Sequence, residues 1–215
     1  MANMTIRECI DAVFQLLNQY SITGTVVPLS YNDQADNQNR MISLINDAQM
    51  QIATTVKPID EHMTFIVPEI PATVPPADVV YQMPDDFNYA IGVHLTPFHG
   101  HGMIDAPRYK WVGEGTLLVP NRPAGVYRVD YCRFPVRYPA TVDLNTELDN
   151  KPDTHGAIPY FVASMIMIDE NPSAYAALKN QWEDRLSRLG YKPPHASTTQ
   201  VQDVYGFDHF WGVWS

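Results

Sequence analysis

Apolar residues recur near the start of the chain at spacings of three and four, the period of a helix with one buried face. Ile6, Ile10, Val13, Phe14 and Leu17 form the first such stripe. Thr5-Ile6-Arg7-Glu8 ahead of it has the form of a capping box, in which Thr5 bonds the N3 amide and Glu8 reaches back to the cap amide. Ser21 to Gly24 end that helix. Met41, Leu44, Ile45, Ala48 and Ile52 form a second stripe, with Arg40, Asn46, Asp47 and Gln51 opposite, and it stops before Pro58. The polar stretch from Val26 to Asn39 between the two reads as a connection.

After Pro58 the period shortens. Residues 61 to 150 hold most of the prolines and a series of short β-branched or aromatic runs: His62 to Val67, Val79 to Met83, Tyr89 to Leu95, Tyr109 to Val112, Thr116 to Val119 and Val126 to Phe134. Gly113-Glu114-Gly115 suits a tight hairpin and Arg122-Pro123-Ala124-Gly125 a second turn, while Pro68 to Pro76 is too rich in proline for a central strand. In the last run Val126, Arg128, Asp130 and Cys132 alternate with Tyr127, Val129, Tyr131 and Arg133, which predicts one solvated face.

The helical period returns at Asp153. Ile158, Phe161, Val162, Met165, Ile166 and Ile168 predict a core helix over Thr154 to Asp169. Asn171 caps the next helix and Pro172 stands at its first position, where a missing N–H costs nothing. Tyr175, Leu178, Trp182, Leu186 and Leu189 then line one face, Lys179, Glu183, Asp184, Arg185 and Arg188 the other, and Gly190 suits the position after the helix. The predicted fold class is α+β: a four-helix bundle-like core from residues 1–60 and 151–190, a β-rich insertion at 61–150 between helices two and three, and an extended C-terminal arm at 191–215. That arm ends Phe207-Asp208-His209-Phe210-Trp211-Gly212-Val213-Trp214-Ser215. Aromatics at this density are costly in water, so the arm is expected to dock.

Composition narrows the function classes. A chain of 215 residues with 45% hydrophobic content can bury a core of its own. No apolar run approaches the ~20 residues of a membrane span, and no signal-peptide pattern opens the chain. Cys9 and Cys132 do not make a disulfide framework, so synthesis in a reducing compartment is expected. The formal charge of −10 opposes nonspecific wrapping of nucleic acid. It is unevenly spread: residues 104–138 carry a local excess of +3, with Arg108, Lys110, Arg122, Arg128, Arg133 and Arg137 against Asp105, Glu114 and Asp130, and the remainder sums to −13. Such asymmetry is compatible with contact between copies, although a solvated face of mixed charge is the commoner cause.

Candidate chemistry is sparse. His94, His99 and His101 lie in a Gly-rich run, and with Asp105 they are a conceivable metal set; a surface loop of unliganded histidines is the commoner reading of such a run. Asp85-Asp86, Asp169-Glu170 and Glu183-Asp184 read as turn, corner and solvated face rather than as an acid/base pair. No nucleophile elbow or phosphate-binding glycine loop is present. Tyr109, Trp111, Tyr127, Tyr131, Phe134 and Tyr138 on the strands are the other signal; aromatics there stack sugars or bases, or more often fill a core or an interface.

Three groups of residues, in this order and spacing, resemble the head-to-tail connector (adaptor) proteins of tailed bacteriophages. They are Arg40 to Gln49 with Ile52 to Val56, Tyr81 to Phe87, and Ile158 to Ser164 with Asp169 to Tyr175. The resemblance implies a structural virion protein with no catalytic residues and no cofactor. It also implies a homo-oligomeric ring, usually of twelve copies, that joins the portal protein to a tail or neck protein in the virion neck after assembly in the host cytoplasm. Duplex DNA would pass through without sequence-specific binding, and an acidic lining suits that passage. Under this reading Tyr205, Phe207, Phe210, Trp211 and Trp214 form a portal-docking arm. Glu183, Asp184, Arg185 and Arg188, with Arg128 and Arg133, become candidates for subunit or channel contact, against the plain alternative of a solvated face. A carbohydrate-binding or adhesin-like β module on a helical stalk is the reading from another class, and a metal-dependent hydrolase built on the three histidines is the third.

Overall fold

The computed structural model describes residues 3–20, 31–75, 77–100, 102–113, 115–169 and 171–190, with backbone only at 20 and 31–37. Helix α1 spans Ile6–Tyr20. The capping box closes as the sequence predicts: Glu8 N donates to Thr5 Oγ1 at 3.2 Å and Thr5 N to Glu8 Oε2 at 2.8 Å. Two further orphan amides of this helix start find backbone partners outside it, Ile6 N on Thr146 O and Arg7 N on Leu144 O. Helix α2 spans Tyr31–Thr55, so the second half of the stretch read as a connection is helical. Asn, Asp and Gln are weak helix formers rather than breakers, and a helix nucleated by the amphipathic half propagates through them at little cost.

Among the described residues seven strands follow: β1 (Ile59–Val67), β2 (Asp78–Gln82), β3 (Phe87–Pro97), β4 (Ile104–Asp105), β5 (Lys110–Val112), β6 (Thr116–Pro120) and β7 (Gly125–Arg133). They make two antiparallel sheets, one ordered β1-β7-β3-β4 and one ordered β2-β6-β5. The alternation read in β7 holds as far as Tyr131, with Tyr127, Val129 and Tyr131 buried and Val126, Arg128 and Asp130 half-buried; it breaks at Cys132, which is buried, and Arg133, which is half-buried. Register places Phe65 opposite Tyr127 and Met63 opposite Val129, and Val93 and Leu95 flank the same residues from β3. The buried face meets Met83, Leu117 and Val119, which belong to β6 and the end of β2. Tyr81 stacks on Phe65 with ring centroids 3.7 Å apart, and Phe65 lies parallel to Tyr127 at 5.5 Å. Gly113 and Gly115 take positive φ at the β5–β6 turn, where the Gly-x-Gly motif requires it.

A 3₁₀ turn over Pro152–Ala157 leads into α3 (Ile158–Met167). The helix expected from Thr154 is thus shorter, because the ring of Pro159 cannot sit beyond the first turn of an α-helix. Helix α4 spans Pro172–Arg188, capped as read: Ala174 N donates to Asn171 Oδ1 at 3.1 Å and Gly190 has φ +71°.

The four-helix bundle-like core is a misreading that the structure corrects. The fold is α+β, with four helices and seven strands among the described residues, and strand pairing dominates the core. Helices α1 and α2 scarcely touch each other; both lean on the ten-residue α3, which also carries α4. The reason lies in α2. Asn46 and Gln49 are buried, and apolar helix faces would leave their amides unbonded. Here Asn46 clamps the backbone of Tyr138, Nδ2 donating to its carbonyl and Oδ1 accepting from its amide, both at 2.9 Å. Gln49 Oε1 accepts from Asp149 N and its backbone carbonyl accepts from Asn150 Nδ2, while Gln49 Nε2 is buried without a hydrogen-bond partner among the described residues. An irregular segment over residues 134–150 therefore fills the space that a bundle helix would occupy, adding Tyr138 and Leu148 to the apolar cluster of the helices.

Candidate assembly surface

The most closely built polar cluster stands on the outer face of the four-stranded sheet. His94 of β3 pairs in register with Asp105 of β4 and Arg128 of β7. Its Nδ1 lies 3.1 Å from Asp105 Oδ1 and its Nε2 3.2 Å from Asp130 Oδ2, while Arg128 Nε donates to Asp130 Oδ1 at 2.7 Å. Gly92 makes this possible, since a Cβ there would stand 3.0 Å from His94 Nε2. The cluster fastens the two-residue strand β4 to the sheet. His99 takes a different partner, Glu69, and His101 lies outside the described residues. No group of three or more His, Cys, Asp or Glu among the described residues has the arrangement of a metal site.

Arg133, one of the predicted contact residues, is a strut between the sheet and segment 134–150. Its Nη1 and Nη2 donate to Asp149 Oδ2 and Oδ1 at 2.6 and 2.7 Å, and Nη1 also reaches Phe134 O. Asp149 Oδ2 accepts in addition from Val136 N at 2.7 Å. Burial alone would raise the Asp149 carboxyl, but the Arg133 and Val136 donors outweigh it and hold the group below the usual carboxylate range. The Lys151–Asp60 and Lys57–Asp153 pairs tie β1 and the end of α2 to the same end of the helical layer.

On α4 the predicted face is partly spent within the chain. Arg185 lies over the Tyr160 ring at 4.1 Å and donates to its hydroxyl at 2.8 Å, and Arg188 pairs with Asp184 one turn back. Glu183 is exposed. The structure therefore groups Glu183, Asp184, Arg185 and Arg188 on one helix, and holds Arg128 and Arg133 on β7 with separate partners. The aromatic residues of the arm, Tyr205, Phe207, Phe210, Trp211 and Trp214, lie outside the described residues. Both cysteines are free and buried; burial pushes the Cys9 thiol up to about 12 and raises Cys132 as well, so neither presents a ready thiolate.

What the sequence reading missed is the distribution of uncovered apolar surface. Ile66, Val74, Val80, Ile91, Phe98, Met103, Ile104, Tyr109, Val112 and Val136 are exposed large apolar residues of the strand-bearing region, whereas the described helices expose only Met50, with Ile168 just beyond the end of α3. Ile66 keeps 61% of its surface in water and Met103 55%. The densest part is residues 98–112, in which every described residue except Ala106 and Trp111 is exposed. That segment contains β4, an edge of one sheet, and β5, an edge of the other. Exposed apolar edge segments of this kind are where other chains add or dock. The aromatic platform weighed in the sequence is mostly internal by contrast: Tyr127 and Tyr131 are buried, and Trp111 stacks on Phe87. No helix among the described residues is long and apolar enough to cross a membrane. Compared with protein-family models and with curated protein sequences, the chain matches none.

Proposed function

We propose that this chain is a structural component of a phage neck, a homo-oligomeric ring that joins portal to tail around the path of the DNA. The observation that carries the reading is the uncovered apolar surface gathered on the sheet edges, above all over residues 98–112, on a chain of net charge −10. Exposed apolar residues gathered in this way mark surfaces on which other chains dock, and net acidity keeps duplex DNA from adhering to the assembly. The residues that resemble connector proteins support the reading by their placement. Arg40 to Gln49 and Ile52 lie on α2, Tyr81 to Phe87 join β2 to β3, and Ile158 to Ser164 with Asn171-Pro172 build α3 and the capped start of α4. The arm at 191–215 is assigned to the portal, and the virion neck to the location of the assembled protein.

Imaging tests the reading. Purified chain is mixed with portal-bearing heads and examined by electron microscopy with symmetry analysis. The expected result is a ring of density coaxial with the portal. Heads that remain bare at saturating protein, or density off the portal vertex, would overturn it.

A further inference from the structure

We infer that His155 is an acid-operated latch on the N-terminal segment: its neutral imidazole holds residues 3–6 against 146–148, and a second proton on the ring releases them. The inference is independent of the ring reading, whose failure would leave it standing. His155 is only 2% exposed and lies in the 3₁₀ turn ahead of α3. Both ring nitrogens meet backbone groups whose roles are fixed. Met4 N, which can only donate, lies 3.1 Å from Nδ1, and Asn150 O, which can only accept, lies 2.7 Å from Nε2. The ring is therefore the neutral tautomer, with its proton on Nε2 and a lone pair on Nδ1.

The bond from Met4 ends a short antiparallel pairing. Leu148 N donates to Met4 O at 2.9 Å, Thr5 bridges to Glu147, and Ile6 N donates to Thr146 O at 2.9 Å. A proton added to Nδ1 would set two donors against each other and place a charge where water does not reach, which costs more than that one hydrogen bond contributes. The latched state thus has no room for a second proton, whereas a ring freed into water takes one up below about pH 6.5, the ordinary value for histidine. The released state then binds more protons than the latched one, so the latch keeps its full stability above that pH and loses it as pH falls below. Neither ring nitrogen has a carboxylate partner to offset the new charge. The charged groups on the surrounding elements have other partners: on α1 Glu8 accepts from Thr5 and Arg7 donates to Asn145, Glu147 accepts from Asn3, and Asp149 pairs with Arg133. Beside the ring in sequence, Lys151 pairs with Asp60 and Asp153 with Lys57, and α3 carries no charged residue. On α4, which packs against the same turn, Arg185 is held by Tyr160 and Arg188 by Asp184, Lys179 lies over the Tyr175 ring, and Glu183 is exposed.

The test follows amide hydrogen exchange by nuclear magnetic resonance on the full chain, with each rate compared with that of an unstructured amide at the same pH. Wild-type protection of Met4, Ile6 and Leu148 is expected to hold steady above pH 7 and to fall by up to about tenfold per pH unit below about pH 6.5, while the amides of β7 keep theirs. His155→Gln puts a donor and an acceptor that do not titrate in place of the ring, so its residues 3–6 should show no such slope, whatever their protection at pH 7. The ring also reports without any variant: its nitrogen-15 shifts should show a proton on Nε2 alone at pH 7.5, with double protonation appearing over the pH range in which Met4 opens. Glu147→Gln removes the carboxylate of the same pairing and should leave the slope in place. Met4 protection that stays constant down to pH 5, an equal slope in His155→Gln, a slope abolished by Glu147→Gln, or a ring doubly protonated while Met4 remains protected would each overturn the latch.

Discussion

Breaking the Arg133–Asp149 strut should unfasten the strand-bearing part of the chain from the helices and let the two unfold separately. The two groups form a bidentate pair with side-chain exposures of only 15% and 18%, and Asp149 also holds Val136 N and, through its amide, Gln49. Asp149→Asn keeps the shape and an acceptor for Val136 but removes the charge and one arm of the fork. Removing one partner of a fully buried pair costs about 3–5 kcal/mol. The pair here retains some water, and Glu61 Oε2 at 3.9 Å still faces Arg133 Nε, so about 2–3 kcal/mol is expected. For a chain of this size that is a fall of roughly 5–10 °C in melting temperature. Arg133→Met should cost a similar amount, and the double variant less than the two together, with a coupling of about 1.5 kcal/mol. Urea titrations at pH 7 should be followed by far-ultraviolet dichroism for the helices and by fluorescence of Trp111 for the sheets, with the other tryptophans replaced. In the wild type the two transitions are expected to coincide; in Asp149→Asn the sheet signal should move first. Additive single and double variants, or a loss below about 0.5 kcal/mol for Asp149→Asn, would show that the fork is a surface pair and refute the reasoning.

The same carboxylate predicts acid lability. Its folded value is depressed, so its contribution is fully present above the ordinary carboxylate value of about 4 and is lost as pH falls through the folded value. Stability of the wild type measured by urea at pH 7, 5, 4 and 3 should therefore fall more steeply below about pH 4 than that of Asp149→Asn. Gly125→Ala should destabilise by about 1–3 kcal/mol in a thermal or urea melt, because the new Cβ would stand 2.4 Å from Thr96 O and 2.7 Å from Leu95 Cδ1 at the start of an inner strand. Deleting residues 200–215 should leave the melting temperature unchanged while attachment to portal-bearing heads is lost; full loading by the truncated chain would refute the anchoring role.

The helices, caps and strands were legible because each rests on local chemistry. The Thr5–Glu8 box, the Asn171 cap before Pro172 and the Gly-x-Gly turn need only their own neighbours in the chain, and all three form as read. Tertiary arrangement was not legible for the same reason. Asn46 looked like the solvated side of an amphipathic helix, yet its partner is the backbone of Tyr138, ninety-two residues away. An amide marks a surface or a buried clamp equally well until its partner is known, and this ambiguity turned a set of helices leaning on α3 into an expected bundle. His94 carried a similar ambiguity. The sequence joined it to His99 and His101 by proximity, but strand register gave it Asp105 and Asp130 instead. In the segment at 98–112 the surface loop of histidines and the strand at its end were legible, but the apolar exposure was not, since apolar residues near turns look the same whether a second sheet covers them or not.

The polar face of α4 and the basic stretch at 104–138 both entered as charged surface, and Arg108 and Lys110 of that stretch differ from α4 in what remains unspent. Arg185 is committed to Tyr160 and Arg188 to Asp184, so a neighbour approaching α4 would have to displace contacts already made. Arg108 and Lys110 have none to give up among the described residues, and the aromatic between them is already in water. Affinity follows the gain on contact, not the charge present beforehand, and that gain is larger for the segment. A consequence follows for assembly. The number of copies in a closed ring is set by the angle between its two contact surfaces within one chain, and the Arg133–Asp149 strut fixes the strand-bearing part against the segment over residues 134–150 that packs on the helices. Loosening the strut with Asp149→Asn should then broaden the number of copies per ring, counted by symmetry analysis of electron micrographs.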